Sequence, residues 1–355
     1  MSTRAAELIR PEVLALAAYP VPSSAGYIKL DAMENPYSFP ADLKSQLLDH
    51  LASASLNRYP DASAAALRTA IREAMQIPDT LDIVLGNGSD EIIQLIALAC
   101  AKPGATLLSF EPSFVMFRMI AAFCGLGYAG VPLTADFKID IDATRAAIEK
   151  HRPAVIFIAY PNNPTGNLFS RDAIREIMQV STGLVVIDEA YFAFSDDSFL
   201  DEIASFPNAV LMRTVSKLGL AGLRLGLLAG HSQWISEFDK VRLPYNVNCL
   251  TQAAATFALR HYDALLGQAD KLRADREKLA AELAAMPGVT VFPSEANFLL
   301  MKVPDSEKTF NALLSRKILV KHTGVSHPLL RNTLRITIGT VAENAALADA
   351  MRSAI

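Results

Sequence analysis

The chain has 355 residues, of which 51% are hydrophobic, and a formal net charge of -4 at pH 7. This length supports a large core and more than one domain. The near balance of charge argues against a nucleic-acid-binding protein and against a protein held on an anionic membrane. The cysteines Cys100, Cys124 and Cys249 are far apart and form no CxxC pair, so neither a disulfide framework nor a metal site is expected.

The N-terminal residues and the apolar stretches indicate where in the cell the protein is expected. The first ten residues include Glu7 and contain no apolar run as long as that of a signal peptide. Apolar stretches such as residues 92–101 stop well short of the roughly 20 residues that cross a bilayer. We therefore expect a cytoplasmic protein.

The first 40 residues contain five prolines and are predicted to form an extended arm. From there to about residue 250, short apolar runs alternate with helical patterns. The apolar runs predict buried strands at 106–110, 154–160, 184–187, 209–213 and 225–229. The helical patterns lie at 90–101, 113–123, 142–150 and 171–180. This alternation predicts an α/β domain with a mostly parallel sheet.

After about residue 250 the pattern changes. A long helix is predicted over 262–286, with Leu265, Leu272 and Leu279 on one stripe and a stop at Pro287 and Gly288. Separated strands are predicted at 289–292, 297–303, 318–321 and 334–338. We predict a large domain over 41–250 and a smaller α+β domain over 251–355, with residues 1–40 forming the arm and part of the small domain.

The first motif with chemical content is the segment 86–91, Gly-Asn-Gly-Ser-Asp-Glu, between a strand and an apolar helix. Ser89 and Asp90 are predicted at the helix N-terminus, where free N–H groups and the helix dipole suit a phosphate. An ordinary capped turn is the alternative. A nicotinamide fingerprint is disfavoured because Glu91 occupies the place of its third glycine.

Two further motifs follow predicted strands. The segment 160–166, Tyr-Pro-Asn-Asn-Pro-Thr-Gly, places Asn163 where its amide can donate to a ring oxygen, although such turns are common. Asp188 follows four apolar residues, and burying its carboxylate is costly unless it meets a cation. A protonated pyridine nitrogen is such a cation, and a buried salt bridge or a helix cap is the alternative.

The last two motifs lie close together. Lys217 follows the strand predicted at 209–213, where a lysine can form a Schiff base with an aldehyde cofactor. Thr214 and Ser216 flank it and can bind a phosphate, as can the guanidinium of Arg224. Taken alone, the lysine and the arginine are equally typical of surface charges.

These motifs occur in one order, at the strand ends where open α/β sheets bind ligands. In this set and order, the chain resembles pyridoxal-phosphate (PLP) dependent aminotransferases of the aspartate-aminotransferase fold, or fold type I, over nearly its whole length. Further segments narrow the resemblance to the histidinol-phosphate aminotransferase family. They are Arg-Pro-Glu at 10–12, Tyr19, Asp-Ala-Met-Glu-Asn-Pro at 31–36, Asn-Arg-Tyr-Pro at 57–60 and Leu-Arg-Ile-Thr-Ile-Gly-Thr at 334–340.

The resemblance implies roles around the cofactor PLP. Lys217 bonds to the cofactor, Asp188 pairs with its pyridine nitrogen, and Tyr191 joins Asn163 at its ring oxygen. Lys217, Asp188 and Tyr191 are the implied catalytic residues. The implied ligands of the cofactor phosphate are Ser89, Asp90, Thr214, Ser216 and Arg224.

The resemblance also implies contacts beyond the ring edge and phosphate. Phe114 stacks on the ring where relatives often have a tyrosine. Arg335 binds the anionic group of the substrate, with Tyr19 nearby. Tyr59 reaches the cofactor phosphate of a neighbouring subunit, which implies a homodimer with shared active sites.

Two departures from the family pattern stand out. Arg224 follows Lys217 by seven residues, where many relatives have eight, so a tighter turn eased by Gly219 and Gly222 is expected. Lys321 stands where many relatives carry a second arginine, and it keeps the charge without the bidentate fork.

The implied reaction is transamination between histidinol phosphate and 2-oxoglutarate in histidine biosynthesis. An aromatic-amino-acid aminotransferase and a threonine-phosphate decarboxylase share the fold and remain alternatives. A PLP-binding regulatory module is a non-enzymatic alternative, but it usually carries a DNA-binding domain, for which we expect no room in this chain.

Overall fold

The computed structural model describes residues 4–355. Its strands, in chain order, are β1 Ile28–Leu30, β2 Asp82–Gly86, β3 Thr106–Glu111, β4 Gly127–Pro132, β5 Val155–Ala159, β6 Leu184–Asp188, β7 Ala209–Thr214, β8 Gly226–Gly230, β9 Thr290–Val291, β10 Phe298–Lys302, β11 Ile318–His322 and β12 Thr333–Thr337.

The α-helices, in chain order, are α1 Arg4–Leu8, α2 Pro11–Leu14, α3 Ala41–Ala52, α4 Ala65–Met75, α5 Ser89–Cys100, α6 Met116–Cys124, α7 Ile141–His151, α8 Arg171–Val180, α9 Leu200–Ile203, α10 Ser232–Val241, α11 Cys249–Arg260, α12 Tyr262–Ala284, α13 Ser306–Ser315 and α14 Val341–Ala354. Within residues 4–355 no helix combines the length and the apolar character needed to cross a membrane.

The larger sheet has seven strands in the order β2-β8-β7-β6-β5-β3-β4. Its strands run parallel except β8, which is antiparallel to both of its neighbours. Every residue of β5, β6 and β7 is buried. Burial on both faces is what a parallel sheet covered by helices requires, so the continuous apolar runs of the sequence form its central strands.

The smaller sheet has the order β1-β11-β12-β10-β9. It is antiparallel except for the pairing of β1 with β11. Its core contains Leu272, Leu279 and Leu283 of α12 together with Leu347 and Met351 of α14. Leu272 and Leu279 of the predicted stripe therefore pack on this second sheet, whereas Leu265 lies in the core of the large sheet.

The N-terminal segment differs from the extended arm that its prolines suggested. Residues Arg4–Leu8 and Pro11–Leu14 are helical, and Ile28–Leu30 joins the smaller sheet. Pro11 is compatible with a helix because it stands in the first turn, where its missing N–H would be unpaired in any case. The domain boundaries at residues 40 and 250 remain a prediction.

Candidate active site

Two adjoining cavities lie where the carboxyl ends of the large-sheet strands face the smaller sheet. The lysine cavity, of about 100 Å³, contains Lys217 and Asp188. The arginine cavity, of about 320 Å³, contains Arg335. Both are lined by Met33, Phe114 and Asn163. The residues predicted to bind a cofactor and those predicted to bind a substrate therefore meet along one shared wall.

Lys217 follows β7 by three residues and points across the lysine cavity. Its Nζ donates to the carbonyl oxygen of Ala32 at 3.2 Å and lies 5.9 Å from the centroid of the Tyr191 ring. Loss of solvation and, second, the nearby positive charge of Arg335 lower the pKa of Lys217 to about 8. A substantial share of this amine is therefore neutral, and hence nucleophilic, near physiological pH.

Asp188 is the last residue of β6 and is 4% exposed. The backbone N–H of Ala190 donates to its Oδ1 at 3.1 Å, and it forms no ion pair with any residue in 4–355. Burial raises the pKa of Asp188 to about 7, and the negative charges of Asp90 and Glu189 also raise it. A cationic ligand atom placed against this carboxylate would restore its charge.

Asn163, Tyr191 and Arg335 form one hydrogen-bonded chain. The Asn163 amide donates to the Tyr191 hydroxyl at 3.2 Å, and Arg335 donates to Asn163 Oδ1 at 2.6 Å. Arg335 also donates to the carbonyl oxygen of Asp31 at 2.7 Å, while its Nε has no partner within residues 4–355. This series of hydrogen bonds links the two cavities. It leaves the buried guanidinium of Arg335 without a carboxylate partner.

The other end of the lysine cavity is lined with groups that suit a phosphate. Ser89 begins α5, and no side chain caps the N–H groups there. The Thr214 hydroxyl donates to Ser216 Oγ at 2.9 Å, and both residues line the cavity. Arg224 Nη2 lies 3.5 Å from Asp90 Oδ2. Free helix N–H groups, hydroxyls and a guanidinium together form a site for an anion.

Gly88 is necessary for this arrangement. It has a φ of +87°, and a Cβ there would lie 2.6 Å from Arg224 Nη2. The turn between Lys217 and Arg224 was expected to rely on Gly219 and Gly222. Gly219 has a φ of +106°, but the second left-handed residue is Arg224 itself, with a φ of +49°, and not Gly222. The tight turn therefore places its backbone strain on a ligand-binding candidate.

The two cavities fit PLP. The lysine cavity offers an amine for an aldehyde, a buried carboxylate without a cation for a pyridine nitrogen, and an anion site for a phosphate. Asn163 and Tyr191 present polar groups to a ring oxygen, and Phe114 offers an aromatic face. Glu189 takes no part, because it is fully buried in an ion pair with Arg213 at 2.8 Å.

The remaining predicted residues fall into two groups. Lys321 and Tyr19 line the arginine cavity, with Lys321 Nζ 5.8 Å from the centroid of the Tyr19 ring. Tyr59 lines neither cavity. It is 80% exposed and stacks on Tyr245 with ring centroids 4.5 Å apart.

Sequence reasoning missed several residues of the arginine cavity, namely Glu111, Arg118, Tyr128, Thr323 and His327. Glu111 ends β3, so the rule that placed Asp188 at a strand end would also have selected it. The backbone carbonyls of Asp31 and Ala32 were also missed as partners of Arg335 and Lys217, because a main-chain acceptor leaves no trace in a sequence.

Comparison with known proteins identifies the family. The model of the aminotransferases of class I and II matches residues 25–351. The chain belongs to the class I and II aminotransferases. It is 54% identical over 346 residues to the histidinol-phosphate aminotransferase of Chromobacterium violaceum, covering 98% of this chain and 97% of that protein. It is 52% identical to histidinol-phosphate aminotransferase 1 of Burkholderia lata, covering 98% of each.

Solved structures of aminotransferases share the fold. The crystal structure of histidinol-phosphate aminotransferase from Sinorhizobium meliloti in complex with pyridoxal-5'-phosphate matches with a TM-score of 0.87 at 23% identity, over 98% of this chain and 97% of that one. These findings confirm the predicted α/β fold of type I and the predicted PLP-dependent aminotransferase, together with its resemblance to histidinol-phosphate aminotransferases. The roles of individual residues remain predictions.

Proposed function

We propose that this aminotransferase transfers the amino group of histidinol phosphate to 2-oxoglutarate, giving imidazole-acetol phosphate and L-glutamate. One observation carries the proposal: the cavity that contains Lys217 and Asp188 adjoins the cavity that contains the buried Arg335. Relatives more than 50% identical over nearly the whole chain, named for this substrate, support the choice of amino donor.

When bound, PLP supplies an aldehyde that bonds to amines and a pyridinium ring that accepts electrons. We propose that Lys217 and Asp188 engage these two groups. Ser89, Asp90, Thr214, Ser216 and Arg224 line the cavity at its phosphate end, and Phe114 lines it beside the ring position. Asp188 keeps the proton on the pyridine nitrogen, because a buried carboxylate beside it favours the charged form.

Lys217 is the group that moves the substrate proton. Its amine, with a pKa of about 8, takes a proton from the amino-bearing carbon of the donor and then returns a proton as an acid. Tyr191 and Asn163 assist by hydrogen-bonding to the ring oxygen. The carbonyl of Ala32, 3.2 Å from Lys217 Nζ, orients the amine.

Arg335 and Lys321 recognise the anionic end of each substrate. Histidinol phosphate brings a phosphate and glutamate a carboxylate, and the two visit the same site in turn. A guanidinium fork accepts either group. Tyr19, beside Lys321 at the cavity wall, covers the same end of the substrate.

The proposal extends to a homodimer in which Tyr59 serves the active site of the partner. Its exposure, its stacking on Tyr245 and its position outside both cavities of its own chain support this arrangement. A cytoplasmic location and the division into an arm, a large domain and a small domain remain part of the proposal.

The test is a screen of the two half-reactions by absorbance of the PLP-loaded protein. The amino donors are histidinol phosphate, phenylalanine, tyrosine and threonine phosphate, followed by 2-oxoglutarate. We expect the highest kcat/KM with histidinol phosphate and no release of carbon dioxide. A preference for an unphosphorylated aromatic amino acid, or carbon dioxide from threonine phosphate, would overturn the proposed substrate but not the family.

A further inference from the structure

One part of the arginine cavity is lined by groups that the proposed reaction has not used. Glu111, Arg118, Tyr128 and His327 line it together, and we call this set the acidic end. Charged and polar side chains inside a substrate cavity are costly unless they are paired with each other or with a ligand. We therefore expect a polar group of the substrate to lie at the acidic end.

The backbone of β4 leaves space for the Glu111 carboxylate at the cavity wall. Glu111 ends β3, and its side chain lies against Gly130 of β4, where a Cβ would be 2.5 Å from Glu111 Cδ. A glycine at that position is what leaves room for the carboxylate. Arg118 of α6 forms an ion pair with Glu111, and its guanidinium carbon lies 5.1 Å from the centroid of the Tyr128 ring.

The ion pair with Arg118 does not close Glu111 off from the cavity. The Arg118 side chain is 59% exposed and that of Glu111 is 20% exposed. A pair with one strongly hydrated partner contributes little to stability. Glu111 thus stays accessible at the cavity wall beside the arginine.

His327 completes the acidic end as a neutral residue. Its Nδ1 accepts a hydrogen bond from the backbone N–H of Leu329 at 3.2 Å, so the proton of the neutral ring sits on Nε2. Burial lowers the pKa of His327, although the charge of Glu111 opposes the shift. No hydrogen bond within residues 4–355 joins Nε2 of His327 to Glu111, so this ring does not occupy the carboxylate.

The acidic end and the cationic end line the same cavity from different elements. Glu111, Tyr128 and Arg118 come from β3, β4 and α6, whereas Lys321 and Arg335 come from β11 and β12. No hydrogen bond within residues 4–355 joins Arg335 or Lys321 to the acidic end. The cavity thus presents a cationic end and an acceptor end to one substrate.

We propose that Glu111 accepts a hydrogen bond from the ring N–H of the amino donor, and that it selects an imidazole over a phenyl ring. The inference rests on the proposed function, in which the phosphate of histidinol phosphate lies at Arg335. A donor with a phosphate at one end and an imidazole N–H at the other matches both ends of the cavity. L-glutamate has no ring N–H to donate, so its half-reaction does not use this hydrogen bond.

The experiment measures kcat/KM for two amino donors, histidinol phosphate and phenylalaninol phosphate, which share the phosphate and differ in the ring N–H. PLP-loaded wild type is compared with Glu111→Met, which removes the acceptor, and Glu111→Gln, which keeps an oxygen without the charge. The matched control is Glu176→Gln. Glu176 is also a partly exposed carboxylate paired with an arginine, Arg145, but it lines neither cavity.

We expect Glu111→Met to lower the preference for histidinol phosphate over phenylalaninol phosphate by about tenfold or more, the usual effect of losing a hydrogen bond to a charged group. Glu111→Gln should lower it less, and Glu176→Gln should leave it unchanged. The half-reaction with L-glutamate should not fall in any variant, which reports an intact fold and bound cofactor.

An unchanged preference in Glu111→Met overturns the inference. If that variant does not fold, the preference in Glu111→Gln decides in the same way. Equal losses for both amino donors and for glutamate would assign Glu111 a structural role and also overturn it. A wild type that does not use histidinol phosphate overturns the proposed function, and the inference falls with it, so the two failures are told apart by the wild-type measurement.

Discussion

Lys321 and Arg335 are directly opposed on the antiparallel strands β11 and β12, so their side chains leave the small sheet on the same face. Their environments differ. Arg335 is 7% exposed and is bonded to Asn163 and to the Asp31 carbonyl, whereas Lys321 lies beside the exposed Tyr19. The arginine is therefore fixed by hydrogen bonds beside the lysine cavity, and the lysine is a second cation that lines the arginine cavity.

This pair predicts different effects of removing each charge. Arg335→Gln should lower kcat/KM for both half-reactions by roughly tenfold to a hundredfold, because each substrate loses a charge-assisted hydrogen bond. Lys321→Gln should impair the reaction of histidinol phosphate more than that of glutamate, because a phosphate has more charge and more acceptors. The measurement is kcat/KM for each substrate, with cofactor absorbance as the control. An Arg335→Gln enzyme with both values unchanged would place the anion site elsewhere.

Lys217→Ala should abolish turnover while the protein stays folded, because the amine that bonds to the cofactor and moves the proton is lost. The assignment is checked by reducing the PLP-loaded wild type with borohydride and mapping the labelled peptide. The label should appear on the peptide containing Lys217 and be missing in the variant. Circular dichroism serves as the control for folding. A label on another lysine contradicts the assignment.

We expect the stability of the cofactor-free protein to depend on pH because the pKa of Asp188 is raised. Its pKa is raised from 3.8 to about 7, so between these values the folded protein keeps a proton that the unfolded chain loses. The contribution of Asp188 to the free energy of unfolding therefore falls as the pH rises through this window. Asp188→Asn does not titrate, so its stability relative to wild type should increase by on the order of a few kcal/mol from pH about 4 to pH about 7. Urea unfolding at several pH values measures this, and a constant difference would contradict it.

Tyr59 should act across a subunit boundary. Tyr59→Ala and Lys217→Ala are each expected to be nearly inactive, but a hybrid dimer would contain one site with both lesions and one with neither. Activity should therefore reappear after the two variants are mixed and their subunits exchange. Mixing Asp188→Asn with Lys217→Ala is the matched control. Both lesions lie in the lysine cavity of their own chain, so exchange leaves every site damaged. Exchange without recovery in the Tyr59 mixture would count against a shared site.

The sequence alone was enough for the architecture. The residues that it proposed for the cofactor, other than Tyr59, line the lysine cavity, and their roles remain predictions. Continuous apolar runs can only be buried as central parallel strands, and each chemical motif follows one of them, so Asp188, Asn163 and Lys217 had to meet at one edge of the sheet. The helix pattern of 262–286 likewise predicted a buried face, of which Leu272 and Leu279 pack on the smaller sheet. The extended arm was wrong at Arg4–Leu8 and Pro11–Leu14, which are helical, because Pro11 in the first turn of α2 is compatible with a helix.

Only the tertiary structure decided which residues join Arg335, Lys321 and Tyr19 in the substrate cavity. Glu111, Tyr128 and His327 come from β3, β4 and the loop before β12, and no local pattern joins residues so distant in sequence. The same holds for the carbonyls of Asp31 and Ala32, whose identity as acceptors is common to every residue of the chain. Periodicity and strand-end position are encoded locally, whereas the convergence of separate elements on one ligand depends on how the two sheets pack together.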